Sequence, residues 1–368
     1  MKIIQVIPSL SRGGAERFVV DLSNGLANRK GIEVILISLY DNSNEATFLR
    51  DIDARVSYFS LGKKSGVDLR IFGKLSKLVK KLQPSVIHAH LGAMEYIIPI
   101  KFSSPDIKLL FTVHNEADKE CPGPQSIIKR VRKYLFTKKY IHPVVISNES
   151  ARSFAQFYGI ATYTLIENGS PPIQKSSDFE SLRQTYQTQG YDYLLVNIAR
   201  LNPPKNQGLL IEAVNYINRT QQIRLKLLIV GEVQDKTYFS QLQSLVIDDS
   251  IEFVGGKSNI GDYLSVANFF CLSSMYEGMP ISLIEALSCG CIPIVTAVGG
   301  IVNMVTEGKT GFLSQGLQVE NYVNALSRAL AADNKEEISQ QAIKTFEERF
   351  HIQGTVEKYL TLFKAKVV

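Results

Sequence analysis

The sequence predicts an α/β fold in which the chain winds two helix-covered parallel sheets, one after the other. Three observations carry this. Short apolar runs alternate with helical patterns from end to end, the alternation starts afresh in the second half, and the stretch between them is rich in turn formers, Asn168-Gly169-Ser170-Pro171-Pro172 and then Ile-Gln-Lys-Ser-Ser. At 368 residues, 45% of them hydrophobic, the chain can fill two ordinary cores.

Strands are expected in the first half at 2–7, 33–39, 85–89, 108–113, 143–146 and 164–166. The second half repeats the pattern at 193–198, 226–230, 251–254, 269–272 and 293–296. Amphipathic segments lie between them, as at 15–27, where Phe18, Val19, Leu22 and Leu26 share one face. The expected division is 1–170, 171–345 and a closing helical stretch at 346–368, with a helix beginning near 178. The tail from 335 is helix-rich, lacks strands and is expected to pack across both domains. Ligands of open parallel sheets sit outside the carboxyl ends of the strands. That rule puts 8–14, 88–90, 114–115, 200–205, 231–232 and 254–257 on the same edge of their sheets, and two such edges facing each other would form one cleft.

The net charge of +6 is unevenly spread. Residues 1–170 hold 24 Lys and Arg against 15 Asp and Glu; the remainder holds 17 against 20. The first half is therefore the one expected to meet something acidic. Its excess concentrates at 74–81 and at 129–139, and the second run is interleaved with Ile127, Ile128, Val131, Tyr134, Leu135 and Phe136. That spacing fits first a solvated helix with its apolar side on the core, and second one meeting an anionic membrane surface or a pyrophosphate-linked lipid. Cys121, Cys271, Cys289 and Cys291 show no paired C-x-x-C spacing, so neither zinc nor a disulfide framework is indicated and a cytoplasmic setting is expected. Cys271 and Cys289 read as buried thiols. No apolar stretch approaches the roughly 20 residues of a membrane helix, and none reads as a signal peptide. The expectation is a soluble or peripheral protein.

The most informative segment is Glu277-Gly278-Met279-Pro280-Ile281-Ser282-Leu283-Ile284-Glu285. Pro280 suits the first position of a helix, Gly290 suits its end, and the helix is expected over 280–289. Its free amides would face an anion, with Glu277 in the loop before it and Glu285 a turn and a half inside. Ahead of it, Asn197-Ile198-Ala199-Arg200-Leu201-Asn202-Pro203-Pro204-Lys205 ends a strand with an Arg and, one Pro-rich turn later, a Lys. Two cations can converge there on one diphosphate, the Arg as a fork and the Lys as a point charge. Gly13-Gly14 at the first strand exit fits either an ordinary tight turn or a close backbone approach to phosphate or sugar. Gly231 and the Phe253-Val254-Gly255-Gly256 run offer the same pair of readings, as turns or as backbone against a base and ribose. His114, His88 and His90 are strand-end histidines, structural or functional, and no metal set is completed around them.

Taken in order, Gly13-Gly14-Ala15-Glu16, Thr112-Val113-His114-Asn115, Glu167-Asn168-Gly169, the Arg200 to Asn206 loop, Phe253-Val254-Gly255 and the E-x7-E segment resemble the retaining glycosyltransferases of family 4. The resemblance covers nearly the whole chain. It implies a GT-B fold of two Rossmann-like domains, acceptor on the first and donor mainly on the second, with a final helix crossing back. By the same resemblance Arg200 and Lys205 would bind the donor diphosphate, Glu285 the ribose and Glu277 the transferred sugar. The amides of Gly278, Met279, Pro280's successor Ile281 and Gly14 would lie nearby, and His114 would stand beside the reacting sugar. No metal, no cofactor and no nucleic acid are implied. The partners would be a nucleotide diphosphate sugar, UDP by family frequency, and a saccharide or lipid-linked saccharide at the inner membrane face. Sugar-nucleotide epimerisation and non-catalytic sugar binding are the competing readings. Two departures bear on the hinge and the nucleotide loops: Ser170-Pro171-Pro172 after Asn168-Gly169, and Gly231-Glu232-Val233 without a second Gly.

Overall fold

The computed structural model describes residues 1–42, 47–121, 127–187 and 189–365. The chain divides into two compact units, Met1–Pro171 with Ile352–Val368, and Pro172–His351. The last three residues of the expected closing stretch lie outside the described residues.

Among the described residues the first unit carries a seven-stranded sheet: β1 (Lys2–Ile7), β2 (Glu33–Ser38), β3 (Val56–Ser60), β4 (Val86–His90), β5 (Lys108–Val113), β6 (His142–Val145) and β7 (Thr164–Leu165). All pairs are parallel, in the order β3-β2-β1-β4-β5-β6-β7. The second unit carries β8 (Tyr193–Ile198), β9 (Leu225–Val230), β10 (Ile251–Gly255), β11 (Phe269–Leu272), β12 (Ile292–Thr296) and β13 (Phe312–Ser314), also parallel, in the order β10-β9-β8-β11-β12-β13. Both are doubly wound α/β sheets.

Two strands escape the periodicity, for a physical reason in each case. β3 is an edge strand whose Ser57, Phe59 and Ser60 are exposed, so it has no apolar run, and β13 is three residues long. The central strands of both sheets, such as β1, β4, β5, β9, β11 and β12, are buried on both faces, which is why they read as apolar runs rich in Val, Ile and Leu. On one face of the first sheet Ile4, Val6, Ile35, Ile37, Ile87 and Phe111 pack against the helices Leu69–Leu82, Met94–Ser103, Ile127–Thr137 and Asn148–Tyr158. The other face is covered by Gly14–Ala27, against which the final helix Ile352–Lys364 lies. A Cβ on Gly25 would stand 2.6 Å from Val356 Cγ2, so the two helices approach closely there and a larger residue would force Val356 to shift.

Each sheet reverses winding direction at one point, between β1 and β4 and between β8 and β11. At the second of these, β8 and β11 pair only through Leu195 with Phe269 and Val196 with Phe270. Beyond them Asn197 Nδ2 donates to Cys271 O (2.8 Å), a side chain taking over where the ladder ends. Such splayed switch points are where doubly wound folds bind ligands.

Candidate active site

In the second unit the site is built from three adjacent strand exits. β8 runs into Arg200 and a 3-10 turn at Pro203–Lys205, held by Asn206 in the left-handed region (φ 51°) before the helix Gln207–Thr220. β11 runs into Ser273, Ser274 and Glu277. The two exits are clamped together: Ser273 Oγ donates to Lys205 O (3.0 Å) and Asn206 O (2.8 Å), and the Met275 N–H donates to Pro204 O (2.8 Å). β12 runs into Gly299 and Gly300. A Cβ on Gly299, whose φ is +50°, would stand 1.8 Å from Glu277 O, and the Gly300 N–H donates to that same carbonyl (3.1 Å).

These contacts fix the backbone of Glu277, and side chains fix its carboxylate. Lys205 Nζ donates to Oε1 at 2.5 Å and Ser274 Oγ donates to the same oxygen at 2.6 Å. Ser274 is held in turn through its carbonyl by Thr296 Oγ1 (2.7 Å). Glu277 is buried and Lys205 is 22% exposed, so their attraction is weakly screened. Half-buried Arg200, by contrast, makes no side-chain hydrogen bond or ion pair among the described residues. One cation of the expected pair is engaged and the other is available.

The helix after Glu277 spans Ile281–Ser288, one residue shorter at each end than expected. Pro280 is its N-cap (φ −70°, ψ 124°), not its first helical residue. Its fixed φ suits either position, and its extended ψ decides. The first intrahelical bonds run from the Leu283 and Ile284 N–H groups to Pro280 O, which leaves the Ile281 and Ser282 amides without a helical acceptor. Gly278, Met279 and Glu285 are buried, Glu285 one turn into the helix, and Gly290 follows its end in the left-handed region.

At two of the expected donor-binding positions the structure also shows a backbone role. A Cβ on Gly231 would stand 1.8 Å from Ala199 O, so this glycine is required by the backbone of the β8 exit. Val254 sits at a register shift where β10 pairs with β9. It turns Gly255 into the left-handed region, whence Gly255 O accepts from the Gly231 N–H (3.0 Å).

In the first unit Gly13 is the extended N-cap and Gly14 the first residue of Gly14–Ala27. His114 does not stand alone. Its Nε2 lies 2.9 Å from His90 Nδ1, and His90 Nε2 lies 2.9 Å from Gln5 Oε1, so β1, β4 and β5 are bridged at the switch point. His88 Nε2 meets Thr112 Oγ1 at 2.7 Å, and Thr112 meets Tyr359 at 3.1 Å. Burial pulls His114 down to about 3 and holds His88 and His90 well below the ordinary imidazole value, so all three are neutral near pH 7. The His114 N–H donates to Glu120 Oε1 (2.7 Å), and burial pushes that carboxyl up to about 7.

Ser274, Gly299, Gly300 and Gln5 are the site residues that sequence reasoning missed. Only Gly299-Gly300, a glycine pair at a strand exit, carried a local signal. Among the described residues no His, Cys, Asp and Glu cluster could hold a metal, and no helix is long and apolar enough to cross a membrane. Of the thiols, Cys271 is buried as expected, whereas Cys289 is only partly so.

Residues 12–172 match the family model for Glycosyltransferase Family 4, and residues 178–346 match that for Glycosyl transferases group 1. Among curated proteins, the N-acetyl-alpha-D-glucosaminyl L-malate synthase of Bacillus anthracis is 22% identical, over 84% of this chain and 82% of its own. The UDP-Gal:alpha-D-GlcNAc-diphosphoundecaprenol alpha-1,3-galactosyltransferase of Escherichia coli is 23% identical, over 99% and 96%. Among solved structures, Anabaena HepE, crystallised with UDP and also with UDP-glucose, superposes with TM-scores of 0.82 and 0.81 at 20% identity, over 98% of this chain and 99% and 100% of its own. With two parallel doubly wound sheets, a family 4 first half and a group 1 second half, this chain belongs to the GT-B glycosyltransferases.

Proposed function

We propose that the protein transfers a hexose-type sugar from a UDP-sugar to an acceptor hydroxyl with retention of anomeric configuration. The observation that carries this reading is the delivery of Arg200, Lys205 and Glu277 to one switch point, beside the free amides of a helix start. When the glycosidic C–O bond breaks, negative charge grows on the leaving diphosphate. Preorganised cations and amides stabilise that charge without a metal. Arg200 grips the diphosphate as a fork, and Lys205 exchanges Glu277 for phosphate oxygens. The freed Glu277 carboxylate then accepts from hydroxyls of the transferred sugar, while Glu285 accepts from the ribose. UDP is supported by the ligands of the Anabaena neighbour and by the name of the Escherichia coli relative.

The acceptor in this reading is a saccharide or lipid-linked saccharide of a surface polysaccharide, bound by the first unit at the inner membrane face. The helix Ile127–Thr137 supports it. Arg132, Leu135 and Phe136 face the core, yet Ile127, Val131 and Tyr134, spaced four and three apart, are exposed among Lys129, Arg130 and Lys133. That is an outward apolar stripe in a basic setting, suited to anionic lipid.

A thermal-shift panel of UDP-, GDP- and ADP-sugars tests the donor, because the preferred donor raises the melting temperature most by mass action. Proton NMR of the transfer product then reads the anomeric configuration. An inverted product overturns retention, and donor turnover of equal rate without any acceptor overturns transfer.

A further inference from the structure

The bridge from Gln5 through His90 to His114 has a direction. The carbonyl oxygen of Gln5, oriented as in the structure, can only accept, so His90 must donate from Nε2. A neutral imidazole carries one proton, which leaves His90 Nδ1 as an acceptor. His114 Nε2 must therefore donate to it, and the proton of His114 is spoken for. Its Nδ1 keeps a lone pair that meets no hydrogen-bond donor among the described residues. The two rings and the amide are all buried, Gln5 and His90 fully, so water does not compete for these bonds.

We propose that Gln5 and His90 are positioning residues that hold His114 as the Nε2–H tautomer, so that its Nδ1 receives a hydrogen bond from a sugar hydroxyl. This rests on the reading of His114 as a neighbour of the reacting sugar. A base of pKa about 3 is far too weak to remove a hydroxyl proton near pH 7, so the ring orients the hydroxyl and does not deprotonate it. The opposite tautomer would present an N–H in the same place, and a hydroxyl would have to turn its oxygen toward it. Three side chains, on β1, on β4 and at the β5 exit, thus set the polarity of one contact.

The test uses the whole protein with ¹⁵N-labelled histidine. There are only five histidines, and long-range ¹H–¹⁵N spectra distinguish the two tautomers of each. In the unaltered protein His114 is expected as Nε2–H, and finding it as Nδ1–H overturns the proposal outright. Gln5→Met removes the acceptor, and is expected to mix the tautomers of His90 and His114 and to lower kcat/KM about tenfold with UDP-sugars. Gln5→Glu keeps an acceptor oxygen and is expected to restore both, which separates the relay from a general packing defect. Unchanged tautomers in Gln5→Met overturn the proposal. So do changed tautomers with unchanged turnover, provided that His114→Ala abolishes turnover. Should His114→Ala leave turnover intact, the reading of His114 itself is what fails.

Discussion

Lys205 Nζ lies 2.5 Å from Glu277 Oε1, joining two residues 72 positions apart across the β8 and β11 exits. The relationship gives each a role beyond its own contact with a ligand. Lys205 neutralises a buried carboxylate, and Glu277 keeps a lysine at the switch point.

Lys205→Ala is therefore expected to cost both stability and rate. Breaking a fully buried pair costs about 3–5 kcal/mol, and the partial exposure of Lys205 makes the loss here smaller. Turnover should fall on the order of 10²–10³, the scale for one preorganised donor. The double variant Lys205→Ala/Glu277→Gln should regain most of the melting temperature and none of the turnover. Recovery of both on calorimetry and product assay would show that the pair is purely structural.

Arg200→Ala should behave differently. Because the side chain makes no hydrogen bond or ion pair among the described residues, the stability should stay within about 0.5 kcal/mol of the parent. Turnover should nevertheless fall on the order of 10²–10³. A variant with normal kcat and raised KM alone would assign Arg200 to ground-state binding.

Gly231→Ala tests whether that glycine serves the fold or the ligand. With its Cβ 1.8 Å from Ala199 O, the variant should unfold at markedly lower temperature, before any assay of affinity. A stable Gly231→Ala with weakened UDP binding would return Gly231 to the nucleotide.

Glu120 carries a pH dependence whose sign follows from its surroundings. Its Oε2 is enclosed with no hydrogen-bond partner among the described residues, and burial raises the group to about 7 from 4.5. A carboxyl raised in the folded state contributes stability that is present below pH 4.5 and lost as pH rises through 7. Glu120→Gln should therefore melt higher than the parent at pH 8, with the gap closing toward pH 4.5. The depressed histidines act with opposite sign, losing stability below about 6.5, but they are common to both proteins and cancel in the difference. A gap that widens on acidification would refute the assignment.

Much of the architecture was legible because doubly wound sheets write themselves locally. A strand buried on both faces must be a short apolar run, and helices between such runs must be amphipathic, so eleven strands could be placed from their own residues. β3 and β13 could not, being exposed or too short to leave a pattern. Glu277, Lys205 and Arg200 were legible as residue types at strand exits.

Which partners meet is another matter, since pairing depends on strand order, and order is decided by how the finished elements pack. β11 lies beside β8 although 70 residues of chain separate Ile198 from Phe269, and only that adjacency brings Ser274 and Lys205 to one carboxylate. The same holds for Gln5 and His90, 85 positions apart, and for Gly231, whose need to be glycine comes from Ala199 on another strand exit. The amino-acid sequence by itself determined the elements, the two-sheet plan and the charged residues of the site. Tertiary structure alone decided that Lys205 holds Glu277 and that His114 belongs to a buried chain of neutral rings, because long-range contacts leave no periodic trace in the residues that make them.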